Sequence, residues 1–146
     1  MRLRATRCAW RESARCEAAR RGRDFKAFNA ACERLRDVVL RGDLYRLESP
    51  YERPRAALSY VSEDRTRAVL FIYQLGESAF GPIRLRGLDP VKRYRVREVD
   101  LPEGVGSRLA LHEKVVDGAT LLEEGIASPL RRALESAVVE IFEEPR

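Results

Sequence analysis

Residues 56–75, AALSYVSEDRTRAVLFIYQL, decide the fold class. In the first part Ala56, Leu58 and Tyr60 alternate with Ala57, Ser59 and Val61, and a period of two places successive side chains on opposite faces of a strand. The EDRT of residues 63–66 reads as a turn. The run RAVLFIYQL that follows is apolar on both faces, as a strand in the middle of a packed sheet must be. The stretch is a hairpin, and the rest of the chain is read outward from it.

Downstream, IRLRG at 83–87 puts Ile83 and Leu85 inward and Arg84 and Arg86 outward. LDPVK turns, and RYRVREV at 93–99 puts Tyr94 and Val96 inward with Arg93, Arg95 and Arg97 outward. This predicts a second hairpin. A loop containing LPEGVG, the strand KVVDG, a short helical turn at ATLLEEG and a last strand SAVVEIF follow, with Ala137, Val139 and Ile141 as the inner row of that last strand. Upstream, Phe25, Phe28, Cys32, Leu35 and Val39 recur at steps of three and four, which makes 24–40 an amphipathic helix. Asp24 can cap its start, and Gly42 sits where a left-handed cap would stop it. The fold class is mainly β: an antiparallel sandwich, Greek-key-like, of six to eight strands behind one amphipathic helix. The predicted organisation is an arginine-rich, poorly ordered segment over 1–23, the helix over 24–41 and the sandwich over 42–143.

A chain of 146 residues is one domain by length. No apolar run approaches the roughly 18 residues that a membrane span needs, so a membrane partner is not expected. The net charge is +5, but residues 1–23 hold eight arginines against Glu12 and Glu17, a balance of +6 that leaves −1 for everything after them. A folded part without excess positive charge has little to offer a phosphate backbone, so no nucleic acid is expected either. Cys8, Cys16 and Cys32 are odd in number and lack companions at metal-ligand spacing, which supports neither disulfides nor zinc. The lone His112 reads as a surface or loop residue. The first residues carry no apolar signal core, so a cytoplasmic location is expected.

Glycoside hydrolysis needs two carboxyls about 5 to 9.5 Å apart across the cleaved bond. The adjacent pairs Glu63–Asp64, Glu123–Glu124 and Glu143–Glu144 do not supply them, because neighbours on a strand face opposite ways and neighbours in a turn sit in water. Gly104 and Gly106 lie in a loop without the strand and helix that a dinucleotide fingerprint requires. No catalytic, cofactor-binding or metal-binding residue is assigned, and no cofactor is expected. Arg84 and Arg86 opposite Arg93, Arg95 and Arg97 would set like charges face to face. Either acids such as Glu98 intervene on a solvated face, or an acidic partner lies on another domain.

LRDVVLRGDLYRLESPYE at 35–52, YVSEDRTRAVLFIYQL at 60–75, IRLRGLDPVKRYRVREV at 83–99, DGATLLEEGI at 117–126 and SAVVEI at 136–141 resemble, in that order, the C-terminal part of glycoside hydrolase family 36 α-galactosidases. The resemblance covers roughly residues 28–142. It implies that 24–40 corresponds to the last helix of a (β/α)8 barrel and that 42–52, GDLYRLESPYE, is the joint between barrel and C-terminal sheet, its tyrosines and arginine packing at the seam. The family's aspartate nucleophile and aspartate acid/base belong to barrel segments with no counterpart in this sequence, so neither is carried over. Residues 1–23 do not resemble barrel sequence, which suggests a truncated gene, a shifted frame or a misassigned start.

The resemblance thus implies the C-terminal accessory domain of an α-galactosidase-like enzyme, inactive alone. Its partner would be a separately encoded catalytic barrel, or a second copy met through the helix face of Phe25, Phe28, Leu35 and Val39, unless that helix folds back on the sheet. The alternative is a stand-alone carbohydrate-binding or interaction module. Such modules display rows of aromatics, whereas Trp10 falls in the leading segment and Tyr60, Tyr73 and Tyr94 fall on strand rows expected to be core.

Overall fold

The computed structural model describes residues 29–77, 81–99, 101 and 104–145. The expectations for 1–23, Trp10, Asp24, Phe25 and Phe28 lie outside these residues. Six strands form one antiparallel sheet: β1 (Asp43–Glu48), β2 (Arg55–Val61), β3 (Arg67–Gln74), β4 (Arg93–Glu98), β5 (Lys114–Asp117) and β6 (Ser136–Glu143). Their order across the sheet is β1-β2-β3-β6-β4-β5. Helix α1 occupies 29–41 and leads into β1; the short helix α2 (Gly118–Glu123) follows β5. The mainly β, antiparallel class read from the sequence is the one observed, consistent with a β-sandwich domain. Among the described residues no helix is long and apolar enough to cross a membrane.

The β2–β3 hairpin forms in the register its alternation requires, with Ala57 opposite Ile72, Ser59 opposite Leu70 and Val61 opposite Ala68. β6 then pairs with β3 on one side and β4 on the other, setting Val139 beside Leu70 and Ile141 beside Val96. Ser59 apart, these inward residues belong to one apolar cluster, and each fully buried aliphatic contributes about 1.5–3 kcal/mol. The connections close the row from outside, chiefly through Ile83, Leu85, Leu121 and Ile126.

The second hairpin does not form. Ile83 and Leu85 do point inward, but Ile83 and Ile126 exchange both backbone hydrogen bonds at 2.8 Å, and the Leu85 amide donates to the Leu121 carbonyl at 3.1 Å. β4 has no edge left for residues 83–86, because β5 and β6 take both of its sides. Gly125 makes the closure at α2 possible: its φ is +81°, and a Cβ there would overlap the Ile83 carbonyl.

The opposite face carries α1. Ala31, Leu35 and Val38 are buried at steps of four and three, and Leu35 and Val38 pack with Val69, Tyr60, Phe71, Val99 and Val138. The helix therefore lies back on the sheet, and Leu35 belongs to no open face. Its contact stripe is also rotated from the one predicted: Cys32 is exposed and Val39 half-buried. Gly42 does end the helix, but without the left-handed backbone expected of it. Its amide donates to Val38 at 2.8 Å, and a Cβ would overlap the carbonyls of Val38 and Val61 where the chain turns into β1. Close approach selects glycine at this position.

Candidate functional site

The joint between α1 and the sheet was the sequence's most chemically dense stretch. β1 carries a bulge between Arg46 and Glu48, so that Glu48, rather than Leu47, stands opposite Ala57. One extra residue shifts the alternation and turns Glu48 to the inward face, where Arg55 begins β2. Arg55 is 1% exposed. Its Nε donates to Glu48 Oε2 at 2.5 Å, its Nη2 to Glu48 Oε1 at 2.6 Å, and Nη2 also to the Gly81 carbonyl at 2.9 Å. Arg53 adds a weaker contact to Glu48 at 3.9 Å. A buried guanidinium needs such a two-pronged partner to offset its desolvation. Beside the pair runs a groove of about 460 Å³, bounded by Glu48, Ser49, Glu52, Arg53, Gly81 and Arg84 among others.

The rest of the joint is unevenly packed. Tyr45 packs on the core and against Gly87, whose φ of +81° and missing Cβ admit the ring. Tyr51 is 98% exposed and Arg46 is exposed, so neither is buried.

Several other acids are tied as well. Asp64 Oδ1 accepts from the Ser62 hydroxyl at 2.6 Å, from the Thr66 amide at 3.1 Å and from the Thr66 hydroxyl at 2.8 Å. These bonds, that of Ser62 foremost, bring its pKa from 3.8 to about 2. Glu63, Glu123 and Glu124 are exposed, as expected. Glu143 and Glu144 are not plain solvated surface: Glu143 accepts from Lys92 at 3.0 Å, and Glu144 is held by both prongs of Arg95 at 2.9 and 3.0 Å. Arg95 holds the Glu144 carboxyl below its ordinary range, Arg97 does the same for Glu113, and the amides of Arg131 and Arg132 do it for Glu135. A general acid for hydrolysis requires the opposite displacement.

A smaller cavity of about 240 Å³ brings Glu98 and Glu135 to one wall system. Glu98 accepts from the Ser107 hydroxyl, and Glu135 accepts from the Arg131 and Arg132 amides at 2.9 and 3.1 Å. Glu98 is buried on the Tyr94–Val96 row, so it does not separate the β4 arginines as expected. Arg93, Arg95 and Arg97 instead meet Asp117, Glu144 and Glu113. His112 is bound into the architecture, its Nδ1 accepting the Glu98 amide at 3.1 Å.

Of the tyrosines, Tyr94 is fully buried and bridges two turns, donating to the Arg65 carbonyl at 2.7 Å and accepting from the Asp89 amide at 3.0 Å. Burial pushes its phenol up. Tyr60 packs edge-on against Phe71 beneath α1, the ring centroids 6.1 Å apart. Tyr73 departs from expectation: it faces Ala56 and Ser136 and is 42% exposed. The sequence reading overlooked the Glu48–Arg55 pair. Its signal was Arg55 itself, which falls in the same alternating row as Ala57, Ser59 and Val61.

Residues 55–141 match the family model described as glycosyl hydrolase family 36 C-terminal domain. The chain is 35% identical over 113 residues to "Probable alpha-galactosidase C" of Aspergillus flavus, a match covering 75% of this chain and 13% of that protein. It is 34% identical over 100 residues to alpha-galactosidase AgaA of Geobacillus stearothermophilus, covering 66% of this chain and 12% of that one. Among solved structures it superposes on the family 36 alpha-galactosidase AgaB of the same organism with a TM-score of 0.61 and 31% identity, covering 79% of this chain and 14% of AgaB. The chain thus spans only about an eighth of the length of the relatives it matches.

Proposed function

Because the chain belongs to glycoside hydrolase family 36, whose C-terminal domain it matches, we propose that it is an accessory domain of an α-galactosidase-like enzyme and does not cleave glycosides by itself. The parent reaction on this reading is hydrolysis of terminal α-galactosides, and the partner is a catalytic barrel met on the side of α1 and the joint. The observation that carries the reading is the state of Glu48. It is the acid at the groove's inner wall, and both of its oxygens are occupied by Arg55. A glycosidase carboxylate must instead be free to attack, to activate water or to deliver a proton.

The test is release of p-nitrophenol from its α-galactoside by the purified chain. No release above a mock purification is expected. Activity that follows the protein through successive columns would overturn the proposal. Titration with galactose, melibiose and raffinose separates the other class of function: a saturable heat would reassign the chain as a carbohydrate-binding module.

A further inference from the structure

We propose that residues 83–86 and the groove beside them form a docking site for an extended acidic segment of a partner protein, which adds along this edge as a strand. The groove borders the joint that the accessory-domain reading turns toward the barrel, so the proposal concerns the chain without that barrel, and peptide binding to the purified chain is read separately from glycoside cleavage.

Ile83 and Leu85 are 1% and 3% exposed while Arg84 and Arg86 are exposed, so the two arginines stand on one side of an extended segment. Same-side residues of such a segment repeat at about 6.6 Å, the spacing of alternate side chains in any strand laid beside it. Neither guanidinium has an acid partner among the described residues, in contrast to the three arginines of β4, each paired to an acid. The backbone is one-sided in the same way. The Ile83 and Leu85 amides are satisfied by Ile126 and Leu121, whereas those of Arg84 and Arg86 have no partner among the described residues. An open row of amides is what an added strand pairs with.

The charge of the groove selects the occupant. Glu48 is neutralised by Arg55, leaving Glu52 alone against Arg53, Arg84 and Arg86. Arginine forks favour carboxylates placed to accept two parallel bonds. The chain's own leading segment, at +6 over residues 1–23, would be repelled. A bare phosphate would use the arginines but leave the open backbone unpaired, so an extended peptide with carboxylates at alternate positions fits both features.

The test uses the full chain and a fluorescein-labelled peptide with glutamates at alternate positions, read by fluorescence anisotropy and by amide exchange. Saturable binding that weakens with salt is expected, together with slowed exchange at the Arg84 and Arg86 amides. Arg84→Glu combined with Arg86→Glu should lower affinity by about tenfold or more, while Arg36→Glu on α1 leaves it unchanged. The milder Arg84→Gln with Arg86→Gln, checked by thermal melting, guards against misfolding of the charge-reversed form. No binding would overturn the proposal. So would equal affinity in the double variants, which would move binding to the arginine-rich residues 1–23, or binding without protection of these two amides.

Discussion

On one face of the sheet Leu70, Ile72, Val139 and Ile141 are sealed beneath the connections, and on the other Val69, Phe71 and Val138 lie beneath α1. The first face is apolar through its middle apart from Ser59, and its buried polar groups, Arg55 with Glu48, Gln74 and Glu98, stand at the strand ends. The second changes character toward β4, where Glu140 is shared by Arg34 at 3.4 Å and Arg67 at 3.2 Å, and where the Arg97 guanidinium lies 5.2 Å from the Phe142 ring centre. One face is thus held by burial that this chain completes for itself. The other is held by one helix and by partly exposed ion pairs, each worth less than about 1 kcal/mol. Regions with few buried contacts open first, so the α1 face should loosen before the inner row does.

The strongest way to break that comparison is Leu70→Ala, which removes a fully buried side chain from the inner row and should cost about 3–5 kcal/mol in urea unfolding. Arg55→Met comes next at about 3 kcal/mol, because it strands the Glu48 carboxylate in a half-buried site. Adding Glu48→Leu should recover most of that loss, and failure to recover would mean that the pair is more than a mutually neutralising contact. Leu35→Ala, on the helix face, should cost about 2 kcal/mol; a loss equal to that of Leu70→Ala would put both faces on the same footing.

The smallest effect concerns the turn of Asp64. Its carboxyl is depressed in the folded chain from 3.8 to about 2, so its stabilisation is complete above the ordinary value and is lost as the pH falls toward 2. Solvent exposure limits the contribution to about 1 kcal/mol. Asp64→Asn should therefore melt earlier at neutral pH, and the difference from the parent should vanish between about pH 4 and about pH 2. A constant difference across that range would remove Asp64 from the account.

Strands β2, β4 and β6 were legible, because a period of two records directly which side chains face the core, whereas β1 was missed, its residues 43–48 having been read only as a joint. That period does not say which strand lies alongside. Ile83 and Leu85 had the right faces and the wrong neighbour, since a bond to Ile126 some forty residues on leaves no local mark. The helix stripe was misphased for a related reason: Ala31 is too small to stand out as a contact residue, and Val38 and Val39 are neighbours of equal size, so the spacing alone did not say which of them is the more buried. At the joint, the bulge that turns Glu48 inward is a single-residue irregularity, and Arg55 on an apolar row was its only trace. The tethering of Asp64 and Glu144 was hidden because adjacent carboxylates read alike whether they meet water or a cation.

The position of β6 has a consequence for biosynthesis. Among the described residues it alone joins β1–β2–β3 to β4–β5 by strand pairing, so until it is made β3 and β4 each present an edge that no earlier described strand pairs. Until residues 136–143 are released, two incomplete sheets are exposed to each other's copies on neighbouring polysomes, and exchange of the last strand between nascent chains competes with correct closure.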